Sequence, residues 1–313
     1  MNLFYQDVLK GLSAPFKQLD SKYFYDQQGD HIFEEIMQCP EYYLTGCEQE
    51  ILSQQSGAIV DTILAHHSSF DVIELGAGNA LKSSFLLREM MYKKIPFTYF
   101  PVDISANVIQ QLQQELPAAI PGIRIQALQG EYMDGLGRAG TLSKQSKLVL
   151  FLGANIGNFS PEKGRLFCRE IRRLLSPGDL LLTGFDLAKD PRTILAAYND
   201  KAGITKRFNL NLLHRINREL EADFDPAQFD HYPTYDPQTG ACKSYLVSLQ
   251  DQQVRLGEAD FIFFKKGEPI LTENSQKYTL AQIETLVVQG GYGLCRHFFD
   301  LKEWFVDSLW ECI

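Results

Sequence analysis

Phe70-Asp71-Val72-Ile73-Glu74-Leu75-Gly76-Ala77-Gly78-Asn79 decides the fold. Phe70 to Leu75 is a short apolar run of strand length, and two glycines end it. A G-x-G at the first strand-to-helix turn lets the backbone approach a ligand where a Cβ would collide. The third glycine of a dinucleotide fingerprint is missing, because position 81 is Leu. That favours a nucleoside ligand without a pyrophosphate.

Working outward, Lys82 to about Lys93 reads as a helix and Phe97–Val102 as a second strand. Ser105 to Leu116 is helical, and Ile123–Leu128, Lys147–Leu152 and Leu180–Phe185 are further strands. Pro161–Leu175 is a helix with Ser160 as N-cap and Pro161 in its first turn. Strands alternating with helices predict a doubly wound, parallel α/β sheet. After a helix at Leu280–Gln289 and the pair Gly290-Gly291, runs near Leu294–Phe299 and Trp304–Leu309 complete the same sheet.

The pattern changes between Lys189 and Lys277. A helix through Asn209–Glu221 gives way to strands punctuated by Asp236-Pro237-Gln238-Thr239-Gly240 and Lys265-Lys266-Gly267-Glu268-Pro269, read as turns between antiparallel strands. The expected organisation is a Rossmann-like domain of residues 48–188 plus 276–313. A second, α+β domain of residues 1–47 plus 189–275 is inserted into it. The first 50 or so residues, helical and aromatic, have no sheet partner of their own and join the inserted domain.

Composition excludes several classes. The 313 residues carry 30 Lys+Arg against 39 Asp+Glu, and no basic run exceeds two residues, so no nucleic-acid partner is expected. No apolar stretch approaches membrane-spanning length, and Met1–Asp7 lacks the basic and apolar regions of a leader. The expectation is a cytoplasmic protein without a membrane partner, monomeric by default. The six cysteines include no C-x-x-C, and the six histidines no H-E-x-x-H, so neither a disulfide framework nor a metal is expected. His66-His67 belongs on a solvated loop or helix end.

Two more strand ends carry chemistry. Asp103 closes Pro101-Val102-Asp103, where a carboxylate can accept both ribose hydroxyls, and Gly130-Glu131-Tyr132 can frame an adenine. A lone G-x-G is ordinarily a turn and a strand-end Asp ordinarily a helix cap. Three such elements at successive carboxyl ends mark the ligand edge of an open α/β sheet. The arrangement resembles a class I S-adenosylmethionine-dependent methyltransferase.

The chain further resembles the L-histidine Nα-methyltransferase family of the ergothioneine pathway, the histidine-specific SAM-dependent methyltransferases. The matching segments are Tyr23-Phe24-Tyr25-Asp26, Pro40-Glu41-Tyr42-Tyr43, Glu74–Gly78 with Lys82, Phe151-Leu152-Gly153 with Ile156-Gly157-Asn158, and Gly184-Phe185-Asp186-Leu187. Ala197-Tyr198-Asn199-Asp200, Asn217-Arg218-Glu219-Leu220, Ala222-Asp223-Phe224-Asp225 and Leu271-Thr272-Glu273-Asn274-Ser275 follow in order. The resemblance implies methylation of the α-amine of L-histidine, up to the trimethyl betaine hercynine, in a crevice between the domains. S-adenosyl-L-methionine is the donor and S-adenosyl-L-homocysteine the product.

The resemblance places cofactor contacts on Gly76, Gly78, Lys82, Asp103, Glu131 and Tyr132. Substrate contacts fall on Tyr42, Asn158, Tyr198, Glu273 and Ser275, with Asn158 and Tyr25 closest to the chemistry. Glu273 and Ser275, two apart on an extended segment, share a face and suit an imidazole. Two departures stand out. Glu131-Tyr132 replaces the Asp-Phe of many members, and Ser244 falls near a family methionine, which enlarges the pocket or admits water. The alternatives are an N-methyltransferase of the same fold acting on another amine, such as a tryptophan derivative, and a silent SAM-binding module. Glu273 and Ser275 argue against the first, and intact Gly76, Gly78, Asp103 and Asn158 against the second.

Overall fold

The computed structural model describes residues 3–313; Met1 and Asn2, which open the segment read for a leader, lie outside them. Two compact units emerge, Met1–Tyr43 with Lys189–Ser275, and Leu44–Ala188 with Gln276–Ile313.

The second unit is built on a seven-stranded sheet. Its strands are β1 (Phe70–Leu75), β2 (Tyr99–Asp103), β3 (Leu128–Gln129), β4 (Ser146–Phe151), β5 (Leu180–Asp186), β6 (Tyr292–Phe299) and β7 (Phe305–Cys312). Their spatial order is β6-β7-β5-β4-β1-β2-β3. Val72 of β1 faces Tyr99 of β2 and Leu148 of β4, all parallel, whereas β7 runs antiparallel to both β5 and β6. Every residue of β1 and β5 is buried, as expected when helices cover both faces. This is the doubly wound class I methyltransferase sheet. The chain leaves β1 toward β2 and β3, then returns to place β4 on the other side of β1. The loops after β1 and β4 therefore flank the topological switch point, where such sheets bind ligands.

Local chemistry sets the helix ends. The Ser160 hydroxyl accepts from Lys163 N–H ahead of the helix Pro161–Leu174. A Thr279/Gln282 capping box opens the helix Leu280–Gly290, which stops at Gly291 with φ +86°. The third strand is shorter than its sequence suggests. Ile123–Leu128 contracts to Leu128–Gln129, and upstream of it the Tyr99 N–H donates to Arg124 O while Tyr99 O accepts from Gln126 N–H. The segment lies on the sheet edge with Arg124 and Gln126 exposed, so little apolar burial holds it flat.

The first unit packs helices Leu3–Ser13, Gln27–Met37 and Ile204–Leu220 with a three-stranded sheet. Its strands lie in the order Pro269–Gln276, Ala241–Ser248, Phe229–Asp236. Phe24, Phe208, Leu212, Ile216, Leu246 and Ile270 form its core. The turn Asp236–Gly240 does join antiparallel partners, with Asp236 facing Ala241. The turn Lys265–Pro269 does not: it links strand Asp260–Phe264, paired with Gln252–Leu256, to a strand of the other sheet. The missed hairpin turn holds Gly257 at φ +63°. Nor is the N-terminal segment without a sheet partner, since Gln18 bridges to Leu271 and Leu19 N–H donates to Leu271 O at 2.8 Å.

Candidate active site

The turn after β1 is held open by two glycines at positive φ, Gly76 at +74° and Gly78 at +52°. A Cβ on Gly76 would lie 3.2 Å from Asn155 Nδ2 and 3.3 Å from the Tyr132 hydroxyl, so the loop after β4 and the helix after β3 close around a bare α-carbon. Asp103 braces this turn. Its Oδ2 accepts from Gly78 N–H at 3.0 Å and its Oδ1 from Ser105 N–H at 2.9 Å. Burial raises the Asp103 pKa, and those amides oppose the shift. Each carboxylate oxygen accepts more than one hydrogen bond, so both retain capacity for a ligand's hydroxyls.

Gly130 N–H donates to Asp103 O at 3.0 Å, tying the third strand end to the second. Glu131, exposed, is the N-cap residue of the helix Tyr132–Leu142. The Tyr132 ring stands edge-on to Phe151 and Phe167, with centroids 5.4 and 5.8 Å away. Burial, with Asp103's charge, holds its hydroxyl protonated. Gly76, Gly78, Asp103 and Tyr132 thus converge on one cradle. A bare α-carbon, a hydroxyl-accepting carboxylate and an aromatic ring fit a nucleoside ligand such as S-adenosylmethionine.

Beside this cradle lies a buried charge cluster that the sequence reading missed. Lys82 Nζ donates to Glu48, a fully buried residue of the helix Tyr43–Leu64 whose other oxygen accepts from Gly153 N–H at 2.6 Å. Gly184 must be glycine here: its Cβ would come within 2.3 Å of Glu48 Oε1 and 3.1 Å of Asp307 Oδ1. Asp307 is fully buried with no hydrogen-bond partner at either oxygen, and burial with Glu48's charge pushes its pKa well above the usual carboxylate range. Glu48 sits in the apolar stripe Leu44, Cys47, Ile51, Leu52, and a charge inside such a stripe is the signal that could have found it.

Glu74, at the end of β1, accepts from the Tyr99 hydroxyl. Burial raises its pKa to about 7, against hydrogen bonds from Tyr99 and Ser83 and the charge of Lys82. An acid raised in this way keeps its proton in the folded protein where the unfolded chain has lost it. Stability therefore falls as pH rises from about 4.5 to about 7, by roughly 3 kcal/mol for this group. Glu74→Gln keeps an acceptor for Tyr99 and removes the titration. Urea unfolding at pH 5 and pH 7.5 should show the wild-type loss reduced by about 2–3 kcal/mol in the variant. Asp307 titrates in the same direction, so a residual slope is expected. An unchanged slope refutes the assignment to Glu74.

After β4, Gly153 (φ +77°) and Ala154 (φ +55°) turn the chain into a short 3-10 helix, Asn155–Asn158. A left-handed alanine is costly, and such strain concentrates at functional loops. Buried Ile156 pins this turn and presents Asn158, half-buried, at its end.

The remaining residues named from sequence lie in the first unit. Tyr42 meets Tyr198 edge-on at 6.3 Å, and the Tyr198 hydroxyl shares a 2.6 Å hydrogen bond with Ser275 Oγ. Two residues earlier on the same strand, Glu273 Oε2 accepts from Ser244 Oγ at 3.2 Å. Tyr25 packs edge-on to Phe33 and Phe208, and Phe33 in turn to Tyr42. Ser244, which falls near the family methionine, is buried, and its hydroxyl braces the glutamate. Behind it, Thr272 Oγ1 donates to Asn209 Oδ1 at 2.6 Å. Asn211 and Arg218 hold Asp26, and Asn217 bonds both N–H and C=O of Phe224, so the segment from Asn211 to Phe224 works in packing.

Among the described residues, no helix is long and apolar enough to cross a membrane. The family described as histidine-specific methyltransferase, SAM-dependent, matches residues 4–312. The chain is 35% identical over 287 residues to a histidine N-alpha-methyltransferase of Mycolicibacterium smegmatis, covering 91% of this chain and 88% of that one. It is 34% identical over 296 residues to the Mycobacterium tuberculosis protein of the same name, covering 94% and 90%. Ergothioneine biosynthesis protein 1 of Neurospora crassa is 31% identical over 277 residues, which are 86% of this chain and 30% of that longer protein. With a match over nearly its whole length, on a sheet whose carboxyl edge carries Gly76, Asp103 and Asn158, the chain belongs to the SAM-dependent histidine-specific methyltransferases.

Proposed function

We propose that this chain methylates the α-amino group of L-histidine, up to three times, to give the trimethyl betaine, as in ergothioneine biosynthesis. The observation that carries the choice of substrate is the Glu273 carboxylate braced by Ser244, two residues before a Ser275 bound to Tyr198. An anionic acceptor held by a buried hydroxyl, beside a second hydroxyl pair, is chemistry for a polar ring bearing an N–H. S-adenosylmethionine, when bound, supplies a methyl group on a sulfonium centre that leaves as a neutral thioether by in-line displacement.

The chain's own residues position and desolvate. Asp103 accepts the ribose hydroxyls, Gly76 and Gly78 admit the nucleoside against backbone, and Tyr132 with Glu131 frames the base. Lys82 offers a cation for a carboxylate. Asn158, donor and acceptor at once, orients the substrate amine and carboxylate, while Tyr42 and Tyr198 line the amino-acid side. The ammonium proton leaves to water in the network around the Tyr25 hydroxyl before the amine attacks. Because the leaving thioether is neutral, no Lewis acid is asked of the chain.

Incubating the enzyme with S-adenosylmethionine and histidine should give mono-, di- and trimethylhistidine by mass spectrometry. Tryptophan and tyrosine should be poor substrates. Preference for tryptophan overturns the substrate but leaves the methyltransferase; no product with any amine overturns both. A pH profile tests the neutral amine. With chemistry rate-limiting, the rate should rise from pH 6 to about 8–9, because only the deprotonated amine attacks. A flat profile refutes it.

A further inference from the structure

Just beyond the last turn of the helix Tyr43–Leu64, His66 Nδ1 lies 3.4 Å from Glu311 Oε1 on β7. Cys295 of β6 completes the group, and one ligand atom from each of the three lies within 4.8 Å of the others. The three residues come from three separate elements. Cys295 sits where the β6–β7 pairing slips from Leu294↔Trp310 to Arg296↔Leu309, a bulge that re-aims the side chain. The cluster is far from the cradle. Glu311 pairs with Leu180 at the start of β5, whereas Phe305 pairs with Asp186 at its ligand-edge end. At about 3.3 Å per residue, that is roughly 20 Å along the strand.

We propose that His66, Cys295 and Glu311 form a binding site for a divalent cation of the Zn²⁺ class, separate from the methyl-transfer site. Thiolate, imidazole and carboxylate are the three donor types that zinc takes, and three protein ligands leave a fourth position for water. One thiolate and one carboxylate balance the ion's two positive charges. Tetrahedral zinc at about 2.0–2.3 Å from its ligands separates them by roughly 3.4–3.7 Å. The His66–Glu311 pair already has that spacing, and side-chain rotation of exposed His66 and partly exposed Cys295 and Glu311 closes the rest. A free cysteine thiol carries its proton at neutral pH. The ion replaces that proton: the S–H bond breaks, the Zn–S bond forms, and one proton leaves to solvent. No redox change is involved. A clamp here fastens the end of the long helix to the β6–β7 hairpin.

The test uses full-length enzyme stripped with chelator and titrated with Co²⁺. A thiolate-to-cobalt charge-transfer band should saturate at one equivalent and disappear on adding Zn²⁺. Cys295→Ser should abolish it, while the other five cysteines, all buried, serve as internal controls, Cys312 beside Glu311 included. His66→Ala and Glu311→Gln should each weaken binding at least tenfold. Zn²⁺ at a hundredfold excess over Kd should raise Tm by roughly 5 °C in wild type and not in Cys295→Ser. Methyl transfer by metal-free enzyme should be unchanged by these substitutions. Absence of the band, its survival in Cys295→Ser, or unaltered affinity in the His66 and Glu311 variants overturns the site.

Discussion

Asp103→Ala is expected to remove S-adenosylhomocysteine binding from an enzyme that still folds. In the proposed complex each carboxylate oxygen takes one ribose hydroxyl, and a charge-assisted bond of this kind contributes about 1.5–3 kcal/mol. Losing two weakens affinity by roughly 10² to 10⁴. The structure adds to this. Asp103 also accepts from Gly78 and Ser105 amides, so alanine releases the glycine turn as well as the ribose. Asp103→Asn separates the contributions, since its one remaining acceptor oxygen supports the turn or a hydroxyl but carries no charge. Calorimetric titration of the three proteins, with thermal melts of the free forms, decides the matter. Binding by Asp103→Ala within threefold of wild type would falsify the ribose assignment. A melt shifted by many degrees would assign the loss to the turn.

The legible parts of this chain were those where a local pattern and a burial requirement coincide. Phe70–Leu75 reads as a buried strand because it lies under helices on both faces, and Gly76, Gly78 and Asp103 follow from their place at strand ends. The family resemblance supplied Tyr42, Asn158, Tyr198, Glu273 and Ser275, which periodicity alone would have left among ordinary aromatic and polar residues. What stayed hidden depends on contacts between distant segments. Glu48 and Asp307 are 259 positions apart, 307 − 48, and only the sheet order brings the two buried acids to the same glycine. Ser244 bracing Glu273 needs two strands in register, and the Cys295 bulge is set by pairing that no single strand encodes. The turn at Lys265–Pro269 has ordinary hairpin chemistry, yet its flanking strands part into different sheets while Ile262, Phe264 and Ile270 enter one core. Turn residues fix a reversal of direction, not the partner.

Glu273→Ala should produce the largest change in substrate choice. The carboxylate is half-buried, accepts from a buried serine and stands on the strand that carries Ser275, so its rotamer is fixed before any ligand arrives. A site organised around a polar acceptor rejects rings lacking the matching N–H, because its own groups are then left unpaired. Removing the acceptor forfeits that discrimination, roughly 2–4 kcal/mol, or a factor of about thirty to a thousand in kcat/KM for histidine. Activity toward tryptophan, whose N–H sits on a larger two-ring system, and toward tyrosine should change less than activity toward histidine. S-adenosylhomocysteine binding should also be unaffected, since Gly76 and Asp103 belong to the other compact unit. Ser244→Ala leaves the carboxylate but frees its rotamer, and should fall between the two, with KM for histidine raised more than kcat is lowered. A surface glutamate with no role predicts less than about a threefold effect, as for substitutions away from any buried partner. Measuring kcat/KM for histidine, tryptophan and tyrosine with wild type, Glu273→Ala and Ser244→Ala distinguishes these cases. If Glu273→Ala keeps its histidine activity, imidazole recognition lies elsewhere in the first unit, and the Ser244–Glu273 pair holds the strand rather than the substrate.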